Sequence, residues 1–150
     1  MGHSYYAVYE HITFSTKSRI PCLDGDLQPI LFAYLAQAAT NQGCRCIKAG
    51  GHREHVHLLI LKDKTLLTSD LIKEIKRISC GWVKRQKPAL RAFAWQEGYG
   101  AFSVSYSQLG RVRTYIENQA EHHRKITWEE EFRGLLKRHG VQFDERYFLD

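Results

Sequence analysis

Hydrophobic and polar positions alternate with two different periods along this chain, and the switches between them mark its elements. "YYAVYEHITFST", Tyr5 to Thr16, is rich in aromatic and β-branched residues and predicts a strand. "KSRIPCLDGD" reads as a loop. From Leu27 to Asn41 apolar residues recur at helical spacing, with Asp26 placed to cap the helix, Pro29 in its first turn and Gly43 at its end. "CRCIKAGG" and "HVHLLILK" predict two short strands joined by "GGHRE", a connection of hairpin length, hence an antiparallel pair. "TSDLIKEIKRISCGWVKRQ" predicts a second helix. Thr68 or Ser69 caps it, Leu71, Ile72, Ile75, Ile78, Trp82 and Val83 form its stripe, and Pro88 ends the run. Tyr99 to Ser105 predicts a fourth strand. Two more helices follow, "SQLGRVRTYIENQAEHHRK" with Ser107 as cap and "TWEEEFRGLLKRHG" with a Thr127–Glu130 capping box and Gly140 as stop.

The order β-α-β-β-α-β followed by helices predicts an α+β fold. It is a ferredoxin-like split βαβ: an antiparallel sheet with helices on one face, plus C-terminal helices. The other sheet face is then free to hold a site. A length of 150 residues fits one domain, 1–150, with a single core. No apolar run approaches the ~20 residues of a membrane span. The start, "MGHSYYAVYEH", lacks the basic-then-apolar order of a signal peptide, so a cytoplasmic location is expected. Met-Gly also opens an acylation signal, but Tyr6 stands where Ser or Thr is needed.

Composition narrows the chemistry only partly. Cys22, Cys44, Cys46 and Cys80 form no C-x-x-C pair, which argues against a zinc knuckle and for reduced thiols used as small hydrophobes. The net charge of +6 favours polyanions mildly, and the segment "KEIKRISCGWVKRQK" concentrates Lys73, Lys76, Arg77, Lys84, Arg85 and Lys87.

The candidate chemistry lies elsewhere. His55 and His57, two apart on a predicted strand, point to one face, while Val56 points to the other. That spacing builds a metal pair, and it also builds two ordinary half-buried histidines. On the third predicted helix Tyr115, Gln119 and His123 follow at intervals of four and share a face.

In this combination the chain resembles the single-tyrosine HUH transposases of small bacterial insertion sequences. It resembles more strongly their domesticated relatives, the REP-associated tyrosine transposases. "HITFSTKSRIP" is similar to the family's first strand and loop, "GGHREHVHLLI" to its HUH strand, "WQEGYGAFSVS" to its fourth strand and "YIENQAEHH" to its catalytic helix. The resemblance implies that His55, His57 and Gln119 ligate Mg²⁺ or Mn²⁺. Tyr115 is then the nucleophile that cuts single-stranded DNA, leaving a 5′-phosphotyrosine and a free 3′-OH. It further implies hairpin DNA as partner and a homodimer, in which the tyrosine helix of one subunit can serve the other.

The chemistry explains these residue types. A divalent cation stabilises charge that develops on a phosphate, and mixed imidazole and carboxamide donors leave positions open for phosphate oxygens. A phenol, with a pKa near ~10, needs help to attack at neutral pH. His123 is a candidate further ligand or proton carrier. His52 and Glu54 read as solvated turn residues or as support for a metal imidazole. His11 reads as a strand residue with a satisfied ring ahead of a DNA contact, and Trp82 and Trp95 as core ahead of base-stacking platforms. Tyr99 and Tyr106 rank below Tyr115, since neither has a glutamine four residues on in a helix. Lys17, Lys73, Lys76, Arg77, Lys84, Arg111 and Arg113 are the candidate DNA contacts. Two other readings stand beside the transposase. One is a non-catalytic single-stranded nucleic-acid-binding domain of the same fold; the other is a metal-dependent hydrolase without a covalent step.

Overall fold

A computed structural model describes residues 2–150; the Met-Gly start begins at Met1, outside the described residues. Four strands, β1 (Tyr9–Ser15), β2 (Arg45–Gly51), β3 (His55–Leu61) and β4 (Gly100–Val104), form one sheet in the order β2-β3-β1-β4. All neighbours are antiparallel. Helices α1 (Leu27–Asn41) and α2 (Thr68–Gln86) connect them as the βαββαβ pattern requires. After β4 come α3 (Leu109–Glu117), α4 (Gln119–His122) and α5 (Trp128–Arg138). The expected ferredoxin-like α+β fold is present.

Strand alternation divides the sheet between two clusters. Ile12, Phe14, Val56, Leu58 and Ile60 face one way and pack against Leu31 and Leu35 of α1 and Leu71, Ile72 and Ile75 of α2. Cys22, Cys44, Cys46 and Cys80 lie against this same core. On the opposite face Phe102 packs with Trp128, Phe132, Leu135 and Leu136 of α5. That second face carries His11, Thr13, His55 and His57 and is roofed by α3, α4 and α5.

Several local expectations needed correction. β1 starts at Tyr9 rather than Tyr5, because Leu61 and Val104 are the last partners on either side. Asp26 is itself helical and caps nothing; Leu27 N–H donates instead to Asp24 Oδ1 at 3.1 Å. Leu67, not Thr68 or Ser69, sits at the start of α2, and the Thr68 hydroxyl donates to Glu10 on β1 at 2.8 Å. The third helix is not continuous. It breaks at Asn118 (φ −97°, ψ 22°), dividing α3 from α4, and Ser107 lies in a 3₁₀ turn before it, paired with Ser105 at 3.2 Å. Thr127 does cap α5, accepting from Glu130 N–H at 3.2 Å.

Two glycines bring α3 to the histidine strand. A Cβ on Gly50 would lie 2.7 Å from Ile116 Cγ2 and 2.8 Å from the Ile116 carbonyl, so only glycine lets α3 settle on β2. Gly51 has φ 155°, and a Cβ there would lie 2.2 Å from the His55 carbonyl. The hairpin that starts β3 thus depends on its absence.

Candidate active site

β3 delivers His55 and His57 from one strand to one side, both fully buried. Each ring is held from behind through Nδ1. His55 Nδ1 meets Glu54 Oε1 at 2.6 Å, and His57 Nδ1 meets His11 Nε2 at 2.8 Å. Both Nε2 atoms therefore face the roof. His55 Nε2 lies 2.8 Å from Gln119 Oε1, and the ring stacks on Trp128 with centroids 4.5 Å apart. His57 Nε2–H donates to Glu131 Oε1 at 3.0 Å.

Glu131, on α5, is the hub. Its Oε1 also has His123 Nε2 at 3.1 Å and His55 Nε2 at 3.4 Å. Its Oε2 accepts from the Tyr115 hydroxyl and from Gln119 Nε2 at 3.1 Å, and His122 Nε2 stands 3.2 Å away. The break at Asn118 leaves the backbone register intact, because Asn118 N–H donates to the Thr114 carbonyl and His122 N–H to the Asn118 carbonyl. Tyr115 and Gln119 therefore still share a face, and Gln119 Nε2 also donates to the Tyr115 carbonyl at 3.3 Å.

Electrostatics follow from this packing. Burial alone would raise the Glu131 carboxyl; the contacts with His123 and His57 and the surrounding imidazoles outweigh it and hold the group far below the usual carboxylate range. Burial lowers His57, more than its contact with Glu131 raises it, and burial, then the neighbouring His57, lowers His11 further. His57 is thus a neutral imidazole, the form that binds metals. Burial, then the Glu131 charge and the hydrogen bond to it, push the Tyr115 phenol well above its ordinary value. Burial would raise Glu54, but its bond to His55 lowers it, so it stays a carboxylate.

The donor set fits a divalent cation. His55, His57 and Glu131 each bring one ligand atom within 4.8 Å of the others, and His122, His123 and Glu131 do the same. His123 Nε2 is buried 3.1 Å from Glu131 Oε1 but without an aligned hydrogen bond.

A sequence model of the IS200-like transposases matches residues 4–119, which covers the sheet, α1, α2 and α3. The chain belongs to this family. It is a DNA transposase of the IS200-like type. A crystal structure of a candidate transposase from Deinococcus radiodurans R1 superposes with a TM-score of 0.65 at 26% identity, covering 79% of this chain and 96% of that one. A REP-associated tyrosine transposase bound to a REP hairpin shares the fold, with a TM-score of 0.59 at 16% identity over 82% of this chain and 73% of that one. No curated protein matches significantly.

This transposase brings together His55, His57, Tyr115, Gln119, His123 and Glu54, all named from the sequence. Glu131 at the centre was missed, and His11, a strand residue with a satisfied ring as expected, holds His57 from behind. Glu131 left one signal: it is an acidic residue inside the apolar stripe Trp128, Phe132, Leu135 and Leu136. The rival tyrosines lie away from the cluster. Tyr106 is exposed beside Tyr9, and Tyr99 lies near Lys76. Trp95 is core, its Nε1–H donating to Ser79 Oγ at 2.9 Å, and Trp82 stacks on Tyr34.

The candidate DNA contacts fall into two groups. Arg111 lines a groove of about 590 Å³ together with His11, Tyr115, Arg138 and His139, the open approach to the tyrosine. Arg113, also on α3, points instead into a separate groove with Arg45 and Tyr106 and lies 3.6 Å from Glu117. Lys17 is exposed in the turn after β1. Lys73, Arg77 and Lys84 ride on α2, which packs on the other face of the sheet, and Arg77 is forked onto Glu74. Lys76 is committed internally: its ammonium donates to the carbonyls of Gln96, Glu97 and Gly98 at 2.8, 3.2 and 2.6 Å. A second cleft, of about 430 Å³, opens on His52, Glu54 and His123 and is rimmed by Arg19, Arg124 and Lys125.

Proposed function

We propose that this transposase, with residues 1–150 acting as one catalytic domain, nicks and rejoins single-stranded DNA through a covalent link to Tyr115. In this reading His55, His57 and Gln119 hold Mg²⁺ or Mn²⁺, and the DNA is presented as a hairpin. The observation that carries it is convergence. A strand histidine pair, a carboxamide and a phenol from three different elements meet around one buried carboxylate. A packing cluster has no need to place two Nε2 atoms, Gln119 and the Tyr115 hydroxyl together.

The chemistry then assigns each side chain a task. Glu54 and His11 fix the imidazoles through Nδ1, so that both Nε2 atoms face the place the cation would occupy. Gln119 Oε1 adds a neutral oxygen donor. The cation, when bound, supplies positive charge to phosphate oxygens and lowers the cost of forming a phenolate. The Tyr115 oxygen forms a bond to phosphorus while the bond from phosphorus to the 3′-oxygen breaks. The phenol gives up its proton within the site, and the 3′-oxygen leaves as a hydroxyl after gaining one. The phosphodiester energy is kept in the 5′-phosphotyrosine, so a 3′-OH can reverse the step and join ends. These residues gather within a single chain, and in the expected homodimer the tyrosine helix can serve the cation site of its own subunit or of the other. Arg111 and the groove beside Tyr115 supply the phosphate contacts.

The test compares a labelled hairpin, an unstructured single strand and a duplex, each with and without Mn²⁺. The reading expects cleavage of the hairpin substrate only with metal, and loss of it in His57→Ala and in Gln119→Ala. Metal-independent cleavage would overturn the assignment of these ligands. Binding of the hairpin with no cleavage in any metal would favour a non-catalytic binding domain.

A further inference from the structure

The family match ends at Gln119, yet the cluster is completed twelve positions later by Glu131. Helix α5 thus reaches into the site from outside the matched segment. Glu131 is 2% exposed in a wall of apolar residues, Trp128, Phe132 and Leu135. Burying a carboxylate is costly unless it is paired or coordinates a metal. Its two oxygens are divided between two tasks. Oε1 faces three imidazole nitrogens, those of His57, His123 and His55, at 3.0, 3.1 and 3.4 Å. Oε2 turns away from them to the Tyr115 hydroxyl and Gln119 Nε2. The His123 side chain is 3% exposed, and its Nε2 points at Oε1 without the alignment of a hydrogen bond. Nitrogens converging on one oxygen in this way mark the surroundings of a cation better than those of a carboxylate alone.

We propose that Glu131 is a direct ligand of the catalytic cation through Oε1, while Oε2 ties the same carboxylate to Tyr115. The proposal rests on the reading that His55, His57 and Gln119 hold that cation. Four protein ligands leave two of the six positions of an octahedral ion for phosphate oxygens. Metal binding and the docking of α5 are then coupled: whatever lifts α5 removes a ligand and releases the tyrosine together.

The experiment is a Mn²⁺ titration of the full chain by calorimetry, with wild type, Glu131→Gln and His55→Ala, each checked for folding by circular dichroism. Glu131→Gln keeps the shape and an oxygen for the cation, but it lowers the donor charge and replaces one accepting oxygen with an N–H donor. The proposal expects one Mn²⁺ site in wild type, its loss in His55→Ala, and an affinity weakened by roughly tenfold or more in Glu131→Gln. Wild-type affinity in Glu131→Gln with loss in His55→Ala would overturn the proposal and leave the histidine and glutamine ligands standing. No Mn²⁺ site in wild type would overturn both. If Glu131→Gln does not fold, anomalous diffraction from wild-type crystals grown with Mn²⁺ decides. An ion bonded to Glu131 Oε1 supports the proposal, and one bonded to His55 and His57 but apart from Glu131 overturns it.

Discussion

Glu54 Oε1 lies 2.6 Å from Nδ1 of His55, and this one contact sets which ring nitrogen faces the cluster. A carboxylate behind a ligating imidazole fixes its tautomer and raises its basicity. Glu54→Gln is therefore expected to weaken Mn²⁺ binding by about 10- to 100-fold while leaving the melting temperature without metal nearly unchanged. Calorimetric titration checks it. An unchanged affinity would return Glu54 to the status of a turn residue.

Gly50 tests how α3 is placed. Its missing Cβ is the space that Ile116 fills, next door to Tyr115. Gly50→Ala must push α3 off β2, because the 2.8 Å contact is with backbone that no rotamer change can move. The expected cost is about 1–3 kcal/mol of stability, read in a denaturant or thermal melt. Cleavage is expected to fall further than the loss of folded protein accounts for, since Tyr115 and Gln119 shift with the helix.

Acid should destabilise the protein. His57 and His11 are held below the ordinary imidazole value of 6.5, by burial in each case. The unfolded chain therefore takes up protons that the folded chain refuses, and stability falls as pH drops through 6.5. His52 and His122, lowered by burial too, act in the same direction. His123 acts in the opposite one. Burial lowers it, but its contact with Glu131 raises it more, so it adds stability at low pH. Glu131 is depressed, so its contribution is full above the ordinary carboxyl value of 4.5 and is lost as pH falls further. The melting temperature is expected to be lower at about pH 5.5 than at about pH 7.5. A flat profile would contradict the buried neutral histidines.

Lysines and arginines named together from the sequence should separate by experiment. Lys76 holds the segment 96–98 by three carbonyls, so Lys76→Met is expected to cost about 1–3 kcal/mol of stability. Its effect on the salt dependence of DNA binding should be small. Arg111→Ala, in the groove beside Tyr115, should leave the melt unchanged and reduce the slope of log affinity against log salt by about 1.

Much of this fold could be read from the chain, and the reason is local consistency. The helical periods of α1 and α2 agree with their burial, and β3 is a short run buried on both faces, so pattern alone places them. The histidine pair was readable because it lies on one strand, and the Tyr115–Gln119 spacing because the helical register runs on through the break at Asn118. What failed depended on contacts between distant parts of the chain. Asp24 rather than Asp26 caps α1 because the loop before it turns back, and the break at Asn118 leaves no mark in the periodicity. Glu131 was missed because its partners come from β3 and α3, and only its place within an apolar stripe sets it apart.

The central claim is the covalent role of Tyr115, and one measurement addresses it directly. Wild type and Tyr115→Phe are incubated with end-labelled hairpin DNA and Mn²⁺, boiled in detergent and run on a denaturing gel. The account predicts a labelled protein–DNA adduct in wild type and none in Tyr115→Phe, whose ring packs as before but lacks the attacking oxygen. Cleavage that persists in Tyr115→Phe, with no adduct in either protein, would contradict it and point to hydrolysis by water.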